Sequence, residues 1–296
     1  MEYQVSHTTR YKYAHPVGRS YQSLHLTPRS STSQDVLNSQ LHVDPGPQNM
    51  QRRQDYFGNA VTDIVIRERH ETLTIRSMSR VVVREEEDIL LDLSPGWEQV
   101  RQLMQSPTNP GSWDASRYCF PSPQISLDEA RDYAAPLMTP GKPCLRLAME
   151  LTEQIYQEFE YQGGVSDVYT PVPESLRTRT GVCQDFAHVA IACLRAFGLP
   201  ARYVSGYLLT RPRDGQPRLT GADASHAWFA AWCAEFGWVD FDPTNNLRPR
   251  TEHITLGWGR DYSDVSPTRG YIHGGGAHAL EVAVDVIPST HADQIR

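Results

Sequence analysis

The stretch Thr178–Leu209 constrains the chain more than any other part of it. Thr180-Gly181 leads into Val182, Phe186, Val189, Ala190, Cys193, Leu194 and Phe197, apolar residues at three- and four-residue spacing that mark one face of a helix. Gly198 stands where helices end, and Pro200 bars continuation. Residues 201–209, rich in Tyr, Val and Leu, predict a strand. A helix with this face is buried, and its first turn begins at Cys183. The positive end of the helix dipole favours negative charge, so a thiol placed there is set up to react as a thiolate.

Size and charge narrow the classes. A chain of 296 residues exceeds what one hydrophobic core usually fills, so two domains are expected. The net charge of −7 is spread without long blocks, which argues against nucleic acid or an anionic membrane as partner. No apolar run approaches the roughly 18 residues of a membrane span, and MEYQVSHTTRYKY lacks the apolar segment of a signal peptide. Five cysteines at irregular spacing do not form a disulfide framework, so a cytoplasmic location is expected.

Residues 1–93 read as an amino-terminal β-sandwich. Alternating or β-branched runs at 3–7, 11–13, 24–26, 37–43, 60–66, 72–75 and 79–83 predict seven strands. His15-Pro16, Asp44-Pro45-Gly46-Pro47 and Phe57-Gly58-Asn59 separate them as turns. No catalytic constellation shows there, and His7, His15, His25 and His42 are expected to be structural. Residues 94–296 hold the helices. Ser94-Pro95 predicts the start of a short helix carrying Trp97, Val100 and Leu103. Residues 106–123, rich in Pro, Ser and Gly, predict an extended crossing segment, and Ser126-Leu-Asp-Glu129 a capped helix start. Residues 144–159, with Leu147, Leu151, Ile155 and Phe159, predict a longer amphipathic helix.

A polar loop at 210–224 follows the Cys183 helix and its strand. The run from His226 to Cys233 alternates as a strand, Glu235-Phe236-Gly237 turns, and 238–242 returns. Such a hairpin sets His226 and Asp242 within a residue or two of direct register, and Pro243 places Asp242 at the strand's end. A thiol nucleophile needs a histidine within hydrogen-bond reach and a third group to orient the imidazole. Cys183, His226 and Asp242, all at element ends, are the candidates. Asp240 is the alternative orienter, set aside on the expectation that it faces the other side of its strand. Asp185 and His188 read as structural, with Asp185 bonding loop backbone. Zinc binding by Cys183, His188, Cys193, His226 and Cys233 is disfavoured, since neither Cys-x-x-Cys nor a tight His pair occurs. His273-Gly-Gly-Gly276 resembles an esterase oxyanion loop but has no Gly-x-Ser-x-Gly partner, and reads better as a flexible loop. Trp228, Trp232, Trp238 and Tyr207 either line an acyl cleft or fill the core.

Several motifs together resemble a known family. Gly181-Val-Cys-Gln-Asp-Phe-Ala-His188, Gly198-Leu-Pro-Ala-Arg-Tyr-Val-Ser-Gly-Tyr207, His226-Ala-Trp228 and Trp238-Val-Asp-Phe-Asp-Pro-Thr-Asn245 look like the transglutaminase-like core. His7-Thr-Thr-Arg-Tyr-Lys-Tyr13, Leu26-Thr-Pro-Arg29 and Asp55-Tyr-Phe-Gly-Asn59 are similar to the amino-terminal β domain of its bacterial, cysteine-protease-like branch. Gly259-Arg-Asp-Tyr-Ser-Asp-Val265 and a terminal strand at 279–287 match that branch's tail. The resemblance implies an α+β fold, with a papain-like catalytic core over 94–296 that includes the C-terminal strands. It also implies Cys183 as nucleophile, His226 as base and acid and Asp242 as orienter. The implied reaction is acyl transfer on an amide or peptide bond of a protein or peptide substrate. A thioester forms and is resolved by water or by an amine. No cofactor or metal is implied, since the calcium-loop ligands of the animal cross-linking enzymes are not recognisable. The Cys183 backbone N–H is one expected oxyanion donor; Tyr169 and Gln184 are candidates for the second. The rival reading is a catalytically silent protein-binding module on the same fold.

Overall fold

In the computed structural model, which describes residues 1–163, 169–210 and 224–289, strand β1 runs from Glu2 to Leu24 and organises the first sheet. Four further strands precede the helices: β2 (Gln34–Asp44), β3 (Asn49–Gln54), β4 (Ala60–Ile66) and β5 (His70–Val83). Residues 2–13 of β1 lie between β5 and β13 (His278–Pro288), and residues 17–24 lie between β4 and β12 (Thr268–Gly274). All pairings are antiparallel, with β2 added outside β5 and β3 outside β4. The two halves close over Val17, Leu24, Val43, Ile64, Ile66, Leu73 and Ile75, so the sandwich is one hydrogen-bonded sheet that shares a long middle strand.

This differs in detail from the seven strands expected within residues 1–83. Two predicted runs merge into β1, which ends at the first residue of a third, and two merge into β5; the sheet reaches seven strands with β12 and β13 from later in the chain. Sequence position grouped those C-terminal strands with residues 94–296, but they hydrogen-bond to β1. His15-Pro16 does not turn. β1 passes through it at an irregularity between Lys12 and Val17, where the missing proline N–H removes no ladder bond. His273-Gly-Gly-Gly276 is the β12–β13 connection, and Gly274, Gly275 and Gly276 all have positive φ, which only glycine adopts at little cost.

The second sheet has the order β10-β9-β8-β11, from β8 (Ala201–Leu208), β9 (Ala224–Cys233), β10 (Gly237–Phe241) and β11 (His253–Gly259). Helix α6 (Cys183–Ala196) is buried on every side from Gln184 to Ala196, not on one face alone: Phe186, on the predicted face, packs on Phe159 and Tyr161, whereas His188 lies against Tyr203 of β8. Around it lie α1 (Trp97–Gln105), α2 (Pro110–Ser116), α3 (Asp128–Ala134), α4 (Cys144–Glu158) and α5 (Val172–Thr178). A short parallel pair, β6 (Glu160–Tyr161) and β7 (Thr180–Gly181), leads into α6, and α7 (Tyr262–Val265) follows β11.

Two helix details differ from expectation. The N-cap of α1 is Gly96; the Ser94 hydroxyl instead donates to Leu91 O and accepts the Leu145 N–H. Residues 110–116, expected to be extended, form α2, because Asn109 caps Ser112 N–H at 2.9 Å and Pro110 takes the first-turn position. The polar loop predicted at 210–224 lies largely outside the described residues.

The sheets are joined by apolar packing and by side-chain amides. Tyr3, Val5, Val81, Val83, Val284 and Val286 of the first sheet pack on Tyr207, Ile254 and Leu256 of the second. β11 is an edge strand, and its outer backbone is met by two amides that behave like a further strand. Gln34 accepts Thr255 N–H and donates to Thr255 O, both at 2.8 Å. Asn59 accepts Trp258 N–H at 3.0 Å and donates to Trp258 O at 2.8 Å. A Cβ on Gly257 would come within 2.7 Å of Asn59 Oδ1, so glycine there admits the amide. Buried Arg195, on α6, donates to the carbonyls of Ala201, Phe120 and Arg260 and fixes the far end of the helix. Among the described residues no helix is long and apolar enough to cross a membrane.

Candidate active site

The start of α6 is fixed by a carboxylate that reaches back to its N-cap residue, Val182. Val182 N–H donates to Asp185 Oδ2 at 2.8 Å, which satisfies one free donor of the helix end and binds loop backbone, as the sequence suggested. Gly181 leaves room for that carboxylate, since a Cβ there would meet it at 2.6 Å. Cys183 follows as the first helical residue and is half-buried. His188, further along α6, is fully enclosed, and its Nε2 accepts the Tyr262 N–H at 3.2 Å. Burial pushes its pKa down to about 4, although Asp261 opposes this. It is a neutral structural histidine.

The β9–β10 hairpin brings His226 to Asp242. Gly237 pairs with Cys233 and Phe241 with Phe229, and Asp242, just past β10, forms a backbone bridge with Leu247. His226 Nε2 and Asp242 Oδ2 are 2.7 Å apart, and the Cys183 thiol lies close enough to the imidazole to favour its charged form. Cys183, His226 and Asp242 are thus brought together, with His226 bonded to Asp242 and sharing a cavity with Cys183. His226 and Asp242 are 7% and 0% exposed, so their interaction is little screened by water. Burial works against charge on His226, but the hydrogen bonds to Asp242 and Cys183 outweigh it and lift its pKa to about 10. Burial likewise opposes charge on Asp242, yet its two histidine partners hold it well below the usual carboxylate range.

Two neighbours of Asp242 were not singled out by sequence. Oδ2 also accepts from His253 Nε2 at 3.0 Å and Asn245 Nδ2 at 2.7 Å, and Oδ1 accepts from the Thr244 and Asn245 N–H groups at 2.9 and 3.2 Å. Asn245 had a local signal, an Asn three residues after an Asp-Pro. His253 had none, because only the order of the sheet brings β11 there. Asp240 lies two residues before Asp242 and therefore on the same side of the strand, not the opposite one. It is separated by its partner instead: it accepts from Trp228 Nε1 at 3.0 Å. The Trp228 ring stands edge-on to His253 at 5.2 Å and lies over Gly206, where a Cβ would meet it at 2.4 Å. Gly206 is the residue opposite His226 in the β8–β9 register.

His226, Asp242 and His253 are also the grouping among the described residues whose ligand atoms, within 4.8 Å of one another, fit a metal ion. Both imidazole Nε2 atoms already bond Asp242 Oδ2 there. The cysteines and His188 weighed for zinc do not join this grouping.

Cys183 and His226 open onto a cavity of about 270 Å³. Gln184, Tyr203 and Ser205 line its core side, and His7, Thr9, Tyr11, Leu280 and Val282 of the first sheet line the other. Of the oxyanion candidates, Gln184 is buried at this cavity, whereas Tyr169 is exposed and outside it. None of Trp228, Trp232, Trp238 or Tyr207 lines it. His7, expected to be only structural, is part of the wall and is held by Tyr207 Oη at 3.0 Å and Thr9 Oγ1 at 2.9 Å.

Residues 3–82 match the family described as bacterial transglutaminase-like N-terminal region, and residues 131–243 match the transglutaminase-like superfamily. An uncharacterized protein of Mycobacterium tuberculosis is 40% identical over 294 residues, covering 97% of this chain and 92% of its own. The chain belongs to the bacterial transglutaminase-like family. An uncharacterized Mycobacterium leprae protein is 32% identical over 283 residues, 96% of this chain and 97% of that one. A protein-glutamine gamma-glutamyltransferase of Pseudomonas aeruginosa is 38% identical over 73 residues, which are 24% of this transglutaminase-like chain and 11% of the enzyme. The fold is that of the crystal structure titled "a Putative Cysteine Protease from Cytophaga hutchinsonii", with a TM-score of 0.75 at 21% identity, covering 97% of this chain and 91% of that one.

Proposed function

We propose that this transglutaminase-like protein transfers acyl groups from amide or peptide bonds through a thioester on Cys183. The observation that carries the reading is a half-buried thiol, Cys183, beside the buried His226–Asp242 pair at one cavity. The Cys183 sulfur attacks the carbonyl carbon, the C–N bond breaks, and the His226 proton passes to the departing nitrogen. Asp242, held by five donors, keeps the imidazole oriented and charged until then. Water or an amine then gives its proton to His226 and attacks the thioester, and the C–S bond breaks to restore the thiolate. The first route is hydrolysis and the second transamidation. The Cys183 N–H, at the open end of α6, is the donor assigned to the developing oxyanion. The substrate is a protein, peptide or other amide in the cytoplasm, a location supported by the unpatterned cysteines.

The test is mass spectrometry of the intact protein after incubation with glutaminyl peptides, with and without a primary amine. The reading expects an acyl adduct on Cys183 that is released as the amide of the added amine if transamidation dominates, and as the carboxylic acid if hydrolysis does. No adduct and no product at any pH, from folded protein, would leave the binding-module reading.

A further inference from the structure

The cavity at Cys183 is not built by the catalytic-type core alone. Tyr11 pairs with Leu280 and Thr9 with Val282 across β1 and β13, so these four side chains share one face of the ribbon, and that face is the cavity wall. Leu280 and Val282 are 54% and 51% exposed, aliphatic side chains left half in water beside a thiol. Further along the same face Val284 is fully covered by the second sheet, so the apolar surface runs from buried to open as it reaches the cavity. The wall carries no charge. Lys12 and Glu281 pair at 2.9 Å on the opposite face, and burial keeps His7 neutral by pushing its pKa down to about 4.

Resting on the acyl-transfer reading, we infer that the β1–β13 ribbon is a substrate subsite that holds an aliphatic side chain of a peptide substrate, on the residue next to the reacting amide. The amino-terminal sheet then sets specificity for chemistry done by residues 183–242. An apolar side chain that covers Leu280 and Val282 removes their surface from water, whereas a carboxylate there loses hydration and meets no cation on that wall, since charged His226 stands on the core side of the cavity. The cavity has room for a carboxamide and one neighbouring side chain of leucine size.

The test uses three uncharged-warhead probes that alkylate thiols with loss of chloride: N-methylchloroacetamide, chloroacetyl-leucine methylamide and chloroacetyl-aspartate methylamide. Site-resolved mass spectrometry reads the rate at Cys183. The leucine probe is expected to react about tenfold faster than the methyl probe and to saturate, as one filled apolar contact implies, while the aspartate probe gains nothing. The variant Leu280→Ser/Val282→Ser should bring the leucine-to-methyl ratio to about one, and Glu281→Gln, on the other face, should keep it. Leu280→Lys, which places a cation on the wall, should turn the preference toward the aspartate probe. Equal rates for leucine and aspartate probes on the unaltered protein, or an unchanged ratio in the double variant, would overturn the subsite. If Cys183 labels no faster than Cys119 with every probe, the nucleophile reading falls, and the subsite with it.

Discussion

At the scale of single residues, the feature that decides behaviour is the carboxylate of Asp242, which accepts from two imidazoles, one amide and two backbone N–H groups. Cys183→Ala is expected to abolish turnover and leave the melting temperature within about 3 °C, because a half-buried residue at a helix start loses little packing. His253→Gln should lower kcat about tenfold, the effect of about 1.4 kcal/mol of lost orientation, with KM nearly unchanged. A purely structural role would move the melting temperature and not the ratio of kcat to KM effects. The pKa of His226 lies near 10 in the folded protein against an ordinary 6.5. A raised value means that its charged form stabilises the fold fully below about pH 6.5, and that this contribution disappears as pH rises through about 10. Urea unfolding from pH 6 to pH 11 should show that loss, and His226→Gln should flatten the curve. The meeting of His226 and Asp242 was legible because a hairpin's length fixes its register. His253 was not, because its place depends on a sheet order that no local pattern encodes.

At the scale of elements, close approaches explain two glycines and an amide. Gly206→Ala puts a methyl within 2.3 Å of Ile254 O and 2.4 Å of Trp228, in a sheet with no slack. It should cost about 2–3 kcal/mol in chemical denaturation and lower activity through the displaced Trp228 and His253. Asn59→Ala removes both bonds to the Trp258 backbone and should cost about 2–3 kcal/mol, since a buried N–H and C=O lose their partners together. α6 and the β9–β10 hairpin were readable from sequence because period, stop signals and burial all agree there. β1 was read as several strands because His15-Pro16 is a strong turn signal locally. The two neighbouring strands outvote it, and the irregularity between Lys12 and Val17 absorbs the proline. α2 was read as extended because proline, serine and glycine dominate its composition, although Asn109-Pro110 is itself a helix start.

At the scale of the whole molecule, the two sheets share an apolar cluster and amide bonds, so they should unfold together. Tryptophan fluorescence, which samples the second sheet, and far-ultraviolet dichroism, dominated by both sheets, are expected to give coincident urea transitions. Two separate midpoints would show that the first sheet, β1–β5 with β12 and β13, unfolds apart from the second. The arrangement of β1 also bears on how the chain is made. β1 needs β13, at residues 278–288, as its neighbour, and it has no partner on that side until those residues, more than 250 positions later, have been synthesised. Meanwhile α6 and the β8–β10 strands are complete and carry the thiol. Between the synthesis of α6 and that of β13, a nascent chain would therefore display an unpaired β1 edge beside a formed helix. That is a template for wrong strand pairing, so a chaperone that shields extended segments should raise the yield more than one that acts on helices.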